Sequence, residues 1–174
     1  MDKIIEKYET VDLSGSDLMR MCNDKVKICA YEDMSSYTNI DQVFDNNNAT
    51  IILYETKKNF GHWVIILKNN DTLIFFDSYG LKVDEELKFT SKYSRTHEGQ
   101  RVGHLHALIK QSKYKLIENR YRLQQFIYNV NTCGRWCVAK FHLRFLDEKE
   151  FIRRFTNNKY HTPDFWVTSY TMLL

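Results

Sequence analysis

Residues 62–77, HWVIILKNNDTLIFFD, decide the fold of this chain. Two apolar runs of strand length stand on either side of a polar turn sequence. Asparagine tolerates a positive φ, so Asn69 and Asn70 fit the central positions of a two-residue hairpin turn. Both alternating faces of the runs are apolar, which indicates strands in the middle of a sheet that is covered on both sides. The stretch therefore predicts an antiparallel hairpin at the centre of a sheet.

The same turn fixes a register for two polar residues at the ends of the hairpin. It pairs Lys68 with Asp71 and places His62 directly opposite Asp77. Cross-strand partners share a face of the sheet and lie about 5 Å apart. The hairpin is therefore expected to bring an imidazole and a carboxylate together.

A cysteine stands at a predicted helix start further along the chain. Residues 131–137 read NTCGRWC, and Cys133 precedes an apolar stripe at helical spacing that includes Val138, Phe141 and Phe145. The first turn of a helix carries unsatisfied N–H groups and a partial positive charge, which favour a thiolate over a thiol. The pattern predicts a buried helix that presents Cys133 at its N-terminus.

Length and composition indicate a single domain, residues 1–174. The chain has 174 residues, a net charge of +3, one proline and six glycines, and abundant aromatic residues argue against disorder. No apolar run approaches the length of a membrane span, and the N-terminus lacks the apolar segment of a signal peptide. A cytosol-like compartment is expected, in which four cysteines stay reduced: Cys22, Cys29, Cys133 and Cys137.

Three further elements complete the prediction. Residues 103–114 have a helical pattern, and residues 121–125 alternate as a short strand. Thr162 followed by Pro163 is a typical helix start. Together with the hairpin and the cysteine helix, these elements predict an α+β fold with a mainly antiparallel central sheet flanked by helices.

Histidine, acid and cysteine suggest a thiol hydrolase. In this hypothesis Cys133 is the nucleophile, His62 takes its proton and Asp77 orients the ring. The Cys133 backbone N–H and the amide of a nearby glutamine are candidates to stabilise an oxyanion. Trp63 would shield the ion pair from water or form one wall of the substrate cleft.

Each of these residues also has a purely structural interpretation. Cys133 alone would be inert packing, His62 alone a hydrogen-bonded sheet histidine, and Asp77 alone a turn cap. A zinc site is not predicted, because the spacing of the remaining cysteine and histidine donors fits no zinc pattern.

The order of these residues resembles that of a known protease clan. A His-Trp pair, an acid at the end of the paired strand, a glutamine and a Cys-Gly pair follow one another in the adenovirus maturation protease and SUMO-specific protease clan, whereas papain-like enzymes have the cysteine first. Within this clan, the sequence most resembles cysteine proteases of virophages, Polinton-type elements and related large DNA viruses. The strings that carry this resemblance are residues 13–18 (LSGSDL), 61–64 (GHWV), 76–80 (FDSYG) and 131–136 (NTCGRW).

The resemblance implies both a fold and a function. It implies an antiparallel sheet that carries histidine and acid, with a buried helix that presents the thiol. It also implies cleavage of viral capsid protein precursors during particle maturation, in the virion or in the viral factory of the host cytoplasm. DNA or an activating peptide is a possible additional partner, and neither a metal, an organic cofactor nor a membrane is expected.

One position departs from the clan. The oxyanion glutamine usually lies six or seven residues before the cysteine, where this chain has Ile127 and Phe126. The available residues are Gln125 and Gln124, and a longer loop before Cys133 would absorb the difference. Only one of the two glutamines faces the site if residues 121–125 form a strand.

Two other functions fit parts of the sequence. The same chemistry would serve a ubiquitin or SUMO isopeptidase. Alternatively, residues 88–122 hold nine Lys or Arg against two Glu, with tyrosines interleaved, which is compatible with a non-catalytic nucleic-acid-binding or packaging module. A solvated basic surface is the plainer interpretation of that segment.

Overall fold

The computed structural model describes residues 1–90 and 103–174. Within these ranges five strands form one sheet in the order β1-β2-β3-β4-β5. The three central strands are antiparallel, and each edge strand runs parallel to its neighbour. The longer pairs are the antiparallel ones, so the expected α+β architecture is confirmed. The strands are β1 (Lys27–Ala30), β2 (Ala49–Lys57), β3 (Phe60–Asn69), β4 (Thr72–Phe76) and β5 (Lys115–Glu118).

Helices flank the sheet, and none in the described ranges is long and apolar enough to cross a bilayer. Short 3-10 helices cover residues Tyr31–Ser36, Ile40–Val43 and Glu85–Lys88. The α-helices are α1 (Asp2–Glu9), α2 (Gly15–Met21), α3 (His104–Lys110), α4 (Cys133–His142), α5 (Glu148–Thr156) and α6 (Pro163–Thr171).

Both faces of the central strands are buried, as the two apolar periodicities of the hairpin predict. Helix α4 lies against one face of the sheet together with α2, α5 and α6. The other face is covered by α3 and the first two 3-10 helices. The first core includes Ile51, Ile65, Leu67, Phe76, Trp136 and Phe151. The second core includes Ile52, Val64, Ile66, Phe75, Tyr31 and Leu105.

The predicted register of the hairpin is wrong by two residues. Asn69 pairs with Thr72, and Asn70 takes the left-handed φ of +51° in a turn one position later than expected. Continued by one residue, this register puts Asp77 opposite Val64, so His62 lies diagonally from it. A shift of two residues keeps every side chain on its face, and the apolar pattern alone therefore cannot separate the two registers.

The strand expected at residues 121–125 is absent from the described structure, and β5 forms earlier. The backbone N–H groups of Leu123 and Gln124 both donate to the Ser78 carbonyl oxygen at 2.9 Å. Successive N–H groups of a strand point in opposite directions, so this bonding excludes a strand there. The chain instead pairs Lys115–Glu118 with the edge of β4.

The basic segment 88–122 is described only in part. Residues 91–102 of it, including three of the basic positions and Tyr93, lie outside the described residues. In the remainder, basic side chains are exposed between α3 and residue 122: Lys110, Lys113, Lys115, Arg120 and Arg122.

Candidate active site

Asp77, the residue after β4, is fully buried and held in one orientation. Buried Asn119 clamps its backbone: the Asn119 side-chain amide donates to the Asp77 carbonyl oxygen at 2.6 Å and accepts from the Asp77 N–H at 2.8 Å. The Tyr79 N–H donates to Asp77 Oδ1 at 2.7 Å. The orientation of the carboxylate is therefore fixed by its neighbours in the fold.

His62, near the start of β3, is held between this carboxylate and the thiol. Its Nε2 lies 3.1 Å from Asp77 Oδ1, and its ring stacks on Tyr79 with centroids 4.6 Å apart. Because Nε2 faces Asp77, Nδ1 is the nitrogen left for Cys133, whose thiol is close enough to interact with the ring. Burial alone would lower the pKa of His62, but Asp77 and Cys133 together raise it well above its ordinary value.

Cys133 begins α4, as predicted, and differs from the other three cysteines. It is partly exposed, whereas Cys22, Cys29 and Cys137 are buried, and all four are free thiols. Burial raises the pKa of Cys22 and of Cys29 to about 12 and raises that of Cys137 well above its ordinary value. Among the four thiols, Cys133 is thus the one that combines access with an imidazole partner.

Asp164, in the first turn of α6, anchors the start of α4 and was missed by the sequence reasoning. It is fully buried, and its Oδ1 accepts from Thr132 Oγ1 at 2.5 Å and from Trp136 Nε1 at 3.0 Å. Its Oδ2 accepts from the Gln125 backbone N–H at 2.9 Å. The Thr-Pro-Asp sequence signals a helix start, but an acid in a first turn is ordinarily read as a surface residue that complements the helix dipole.

The two candidate glutamines have different environments. Gln124 is buried, and both ends of its amide are engaged: Oε1 accepts from Ser78 Oγ at 2.7 Å and Nε2 donates to the Val130 carbonyl oxygen at 3.1 Å. Gln125 is half-buried, and its side chain makes no hydrogen bond with a described residue. Its backbone is held by Asp164, the carboxylate that also holds the residue before Cys133.

A cleft of about 640 Å³ opens at Cys133. Trp63 lies in its wall, and the indole Nε1 donates to the Leu13 carbonyl oxygen at 3.0 Å. A side chain at Gly15 would sit 3.8 Å from the Trp63 ring and 3.3 Å from Ile28, so the wall is closely packed there. The cleft beside the thiol is mostly apolar, with Leu13, Ile28 and Leu53 among its lining residues.

A second carboxylate reaches His62 and was also missed. Glu86 is buried, and its Oε1 lies 3.7 Å from His62 Nε2. Burial raises the pKa of Glu86, the nearby imidazole opposes this shift and Asp77 adds to it. The sequence gives no signal for this contact, because Glu86 belongs to a short polar helix in which acids usually face solvent.

The structure thus brings the predicted thiol, imidazole and carboxylate together. The order Cys133, His62 Nδ1, His62 Nε2, Asp77 is an arrangement that can move a proton from sulfur and stabilise the resulting ion pair.

Comparison with known proteins gives a relative from a virophage. The chain matches no protein-family model. It is 35% identical over 175 residues to "Uncharacterized protein V9" of Sputnik virophage, and the match covers 98% of this chain and 99% of that protein. The chain therefore belongs to the family of the Sputnik virophage protein V9.

Proposed function

We propose that this protein is a cysteine endopeptidase in which Cys133, His62 and Asp77 act as nucleophile, base and orienting acid. One observation carries the proposal. The His62 ring is held between a fixed, buried carboxylate and a partly exposed thiol at a helix N-terminus, and that thiol lines a cleft.

The reaction follows from this arrangement. The Cys133 thiolate attacks the carbonyl carbon of a peptide bond and forms a C–S bond, while the carbonyl oxygen becomes negatively charged. The tetrahedral intermediate collapses, the C–N bond breaks and His62 gives its proton to the leaving amine. Water then attacks the thioester with His62 as base, which releases the acid and restores the thiol.

Two donors are suited to stabilise the oxyanion. The N–H of Cys133 is one of the free amides at the start of α4. The Gln125 amide is the better second candidate, because the Gln124 amide already binds Ser78 and Val130. Replacing an oxyanion donor typically costs about 10²–10³-fold in kcat.

We infer that the substrates are capsid protein precursors of the same virus. Two considerations support this inference: the relative in Sputnik virophage, and the resemblance of the sequence to the adenovirus-type maturation protease clan. An apolar cleft walled by Trp63 suits an extended peptide, and the resemblance implies small residues next to the scissile bond. The enzyme would act in the virion or in the viral factory of the host cytoplasm.

Co-expression with the capsid precursor of the same virus tests the proposal. We expect wild-type protein to cleave the precursor and Cys133→Ala to leave it intact. Cys137→Ala is the matched control, because it removes a thiol one turn further along the same helix and should retain cleavage. Cleavage by Cys133→Ala would exclude the mechanism, and preferential hydrolysis of a fluorogenic ubiquitin or SUMO substrate would assign isopeptidase activity instead.

A further inference from the structure

Three ligand-bearing side chains converge on the ring nitrogen of His62 that faces away from the thiol. One donor atom each from His62, Asp77 and Glu86 lies within 4.8 Å of the other two. The nitrogen Nε2 is 3.1 Å from Asp77 Oδ1 and 3.7 Å from Glu86 Oε1. Ligands bound tetrahedrally to zinc at 2.0–2.2 Å lie about 3.3 Å apart, which is close to both separations.

Each of the two carboxylates has an oxygen that accepts no hydrogen bond from the described residues. Asp77 Oδ2 is buried and has no hydrogen-bond partner in residues 1–90 and 103–174. Glu86 is 7% exposed, and its carboxylate contacts His62 without accepting a hydrogen bond from any residue in the same two ranges. Buried carboxyl groups normally have such partners, so the site has oxygens that are available to bind a cation.

We propose that His62 Nε2, Asp77 and Glu86 form a binding site for a divalent transition-metal cation, with zinc as the best match, and that the bound cation switches the peptidase off. An imidazole nitrogen with two carboxylates is a ligand set that zinc accepts, with a fourth position left for water. The switch rests on the proposed function, whereas the binding site does not.

Inhibition follows from the chemistry of imidazole. A cation bound at Nε2 requires a neutral ring whose remaining proton is on Nδ1. Nδ1 then has no lone pair to accept the proton of Cys133, and the neutral ring has no second proton for the leaving amine. Removal of the cation restores the ring, so the inhibition is reversible.

One of the three proposed ligands, Glu86, lines a second cleft. Glu86 lines a small cleft of about 180 Å³ between Tyr79 and Phe126, distinct from the cleft that holds Cys133. Arg122 also lines this small cleft and is the positive charge that an entering cation would pass. Of the three ligands, Glu86 is therefore the one that a cation would meet first, from a side other than the cleft that holds Cys133.

Calorimetric titration of the full-length Cys133→Ala protein with zinc chloride tests the site without catalysis. The substitution removes the partly exposed thiol, so binding cannot depend on it. We expect Glu86→Gln in this background to weaken zinc binding at least about tenfold. Glu85→Gln, which changes a neighbouring acid paired with Lys88 at the surface, should leave the affinity unchanged.

Three results would overturn the proposed site: no zinc binding by Cys133→Ala, equal affinity with and without Glu86→Gln, or equal weakening by both glutamate variants. Asp77→Asn, tested in parallel with a thermal melt of each variant, separates loss of a ligand from loss of the fold.

The activity measurement is separate. Zinc should inhibit peptide hydrolysis by the wild type, and a chelator should restore the activity. The zinc concentration that halves the zinc-free rate should be at least about ten times higher for Glu86→Gln than for the wild type. Equal sensitivity of wild type and Glu86→Gln would exclude the switch. A protein that binds zinc through Glu86 but cleaves no peptide would refute the proposed function and leave the site standing.

Discussion

At Asp77 a single carboxylate is oriented by its neighbours and in turn orients the ring of His62. The Tyr79 N–H and the Asn119 clamp prevent it from rotating away. Its burial strengthens the pairing with the imidazole, because little water competes for either group. The position of the ring thus depends on Tyr79 and Asn119 as well as on Asp77 itself.

Replacing this acid tests its role. Asp77→Asn should lower kcat/KM by about 10²–10⁴-fold, because an amide neither fixes the tautomer nor stabilises the imidazolium. Peptide hydrolysis measured at constant pH checks the prediction. Asp71→Asn, in the exposed hairpin turn, is the matched control and should behave as wild type. A kcat/KM within a factor of two of the wild-type value in both variants would mean that Asp77 has no part in catalysis.

Asp164 lends itself to a stability measurement. Its two oxygens accept from three donors, so Asp164→Asn places an NH₂ group against one of them. We expect a loss of about 2–3 kcal/mol in the free energy of unfolding, measured by urea denaturation. Glu32→Ala removes an exposed acid and should change the stability by less than about 0.5 kcal/mol. A similar stability for both variants would show that Asp164 does not anchor α4.

At the scale of elements, the active site depends on where strands and helices begin. Helix α4 presents Cys133 only because Thr132 is tied to α6, and β3 presents His62 one residue after Gly61. The backbone of β2 passes so close to Gly61 that an added Cβ would collide with the Tyr54 carbonyl oxygen. Strand pairing and catalytic geometry are therefore coupled at this glycine.

Gly61→Ala should consequently disturb both the pairing of β2 with β3 and the position of His62. The added Cβ would collide with backbone atoms of Tyr54 and Glu55, which cannot move aside as the end of a side chain could. We therefore expect a lower melting temperature together with reduced peptide cleavage. Lys58→Ala, in the adjoining turn, is the control and should preserve both. A variant with an unchanged melting temperature and full activity would contradict the close approach of β2 and β3.

The sequence predicts strands and helices well where two features of the pattern agree. The hairpin was recognisable because both faces of residues 62–77 are apolar, and α4 because its apolar stripe follows a polar start. The two-residue error in register arose because either register buries the same side chains. The contacts of Glu86 and Asp164 were not predictable, because they join residues distant in sequence and neither residue type nor spacing marks them.

At the scale of the whole molecule, the N-terminal segment closes one side of the site. The Asn131 N–H donates to the Glu9 carbonyl oxygen at 2.8 Å, and the Asn131 side chain donates to the Thr10 carbonyl oxygen at 2.9 Å. Leu13 then accepts the indole N–H of Trp63. The segment from the end of α1 to Leu13 thus contacts both the loop before Cys133 and Trp63 in the wall of the cleft.

The side chain of Glu9 is expected to make the stability of the fold depend on pH. Partial burial and the charges of Asp164 and Glu6 raise the pKa of Glu9 to about 7. The folded state therefore binds this proton more tightly than the unfolded chain, and the stabilisation present at acidic pH is lost as the pH rises through 7. Urea midpoints measured between pH 5 and pH 8 should fall more in the wild type than in Glu9→Gln. Parallel pH dependence in the two proteins would contradict this assignment.

The most direct test of the whole account is the rate at which iodoacetamide alkylates Cys133 at neutral pH, followed by mass spectrometry in wild type and in His62→Gln. We expect Cys133 to react far faster than the three buried thiols and to slow by at least about tenfold when the imidazole is replaced, because the ring then no longer stabilises the thiolate. Equal alkylation rates in the two proteins would contradict the ion pair on which the proposed activity depends.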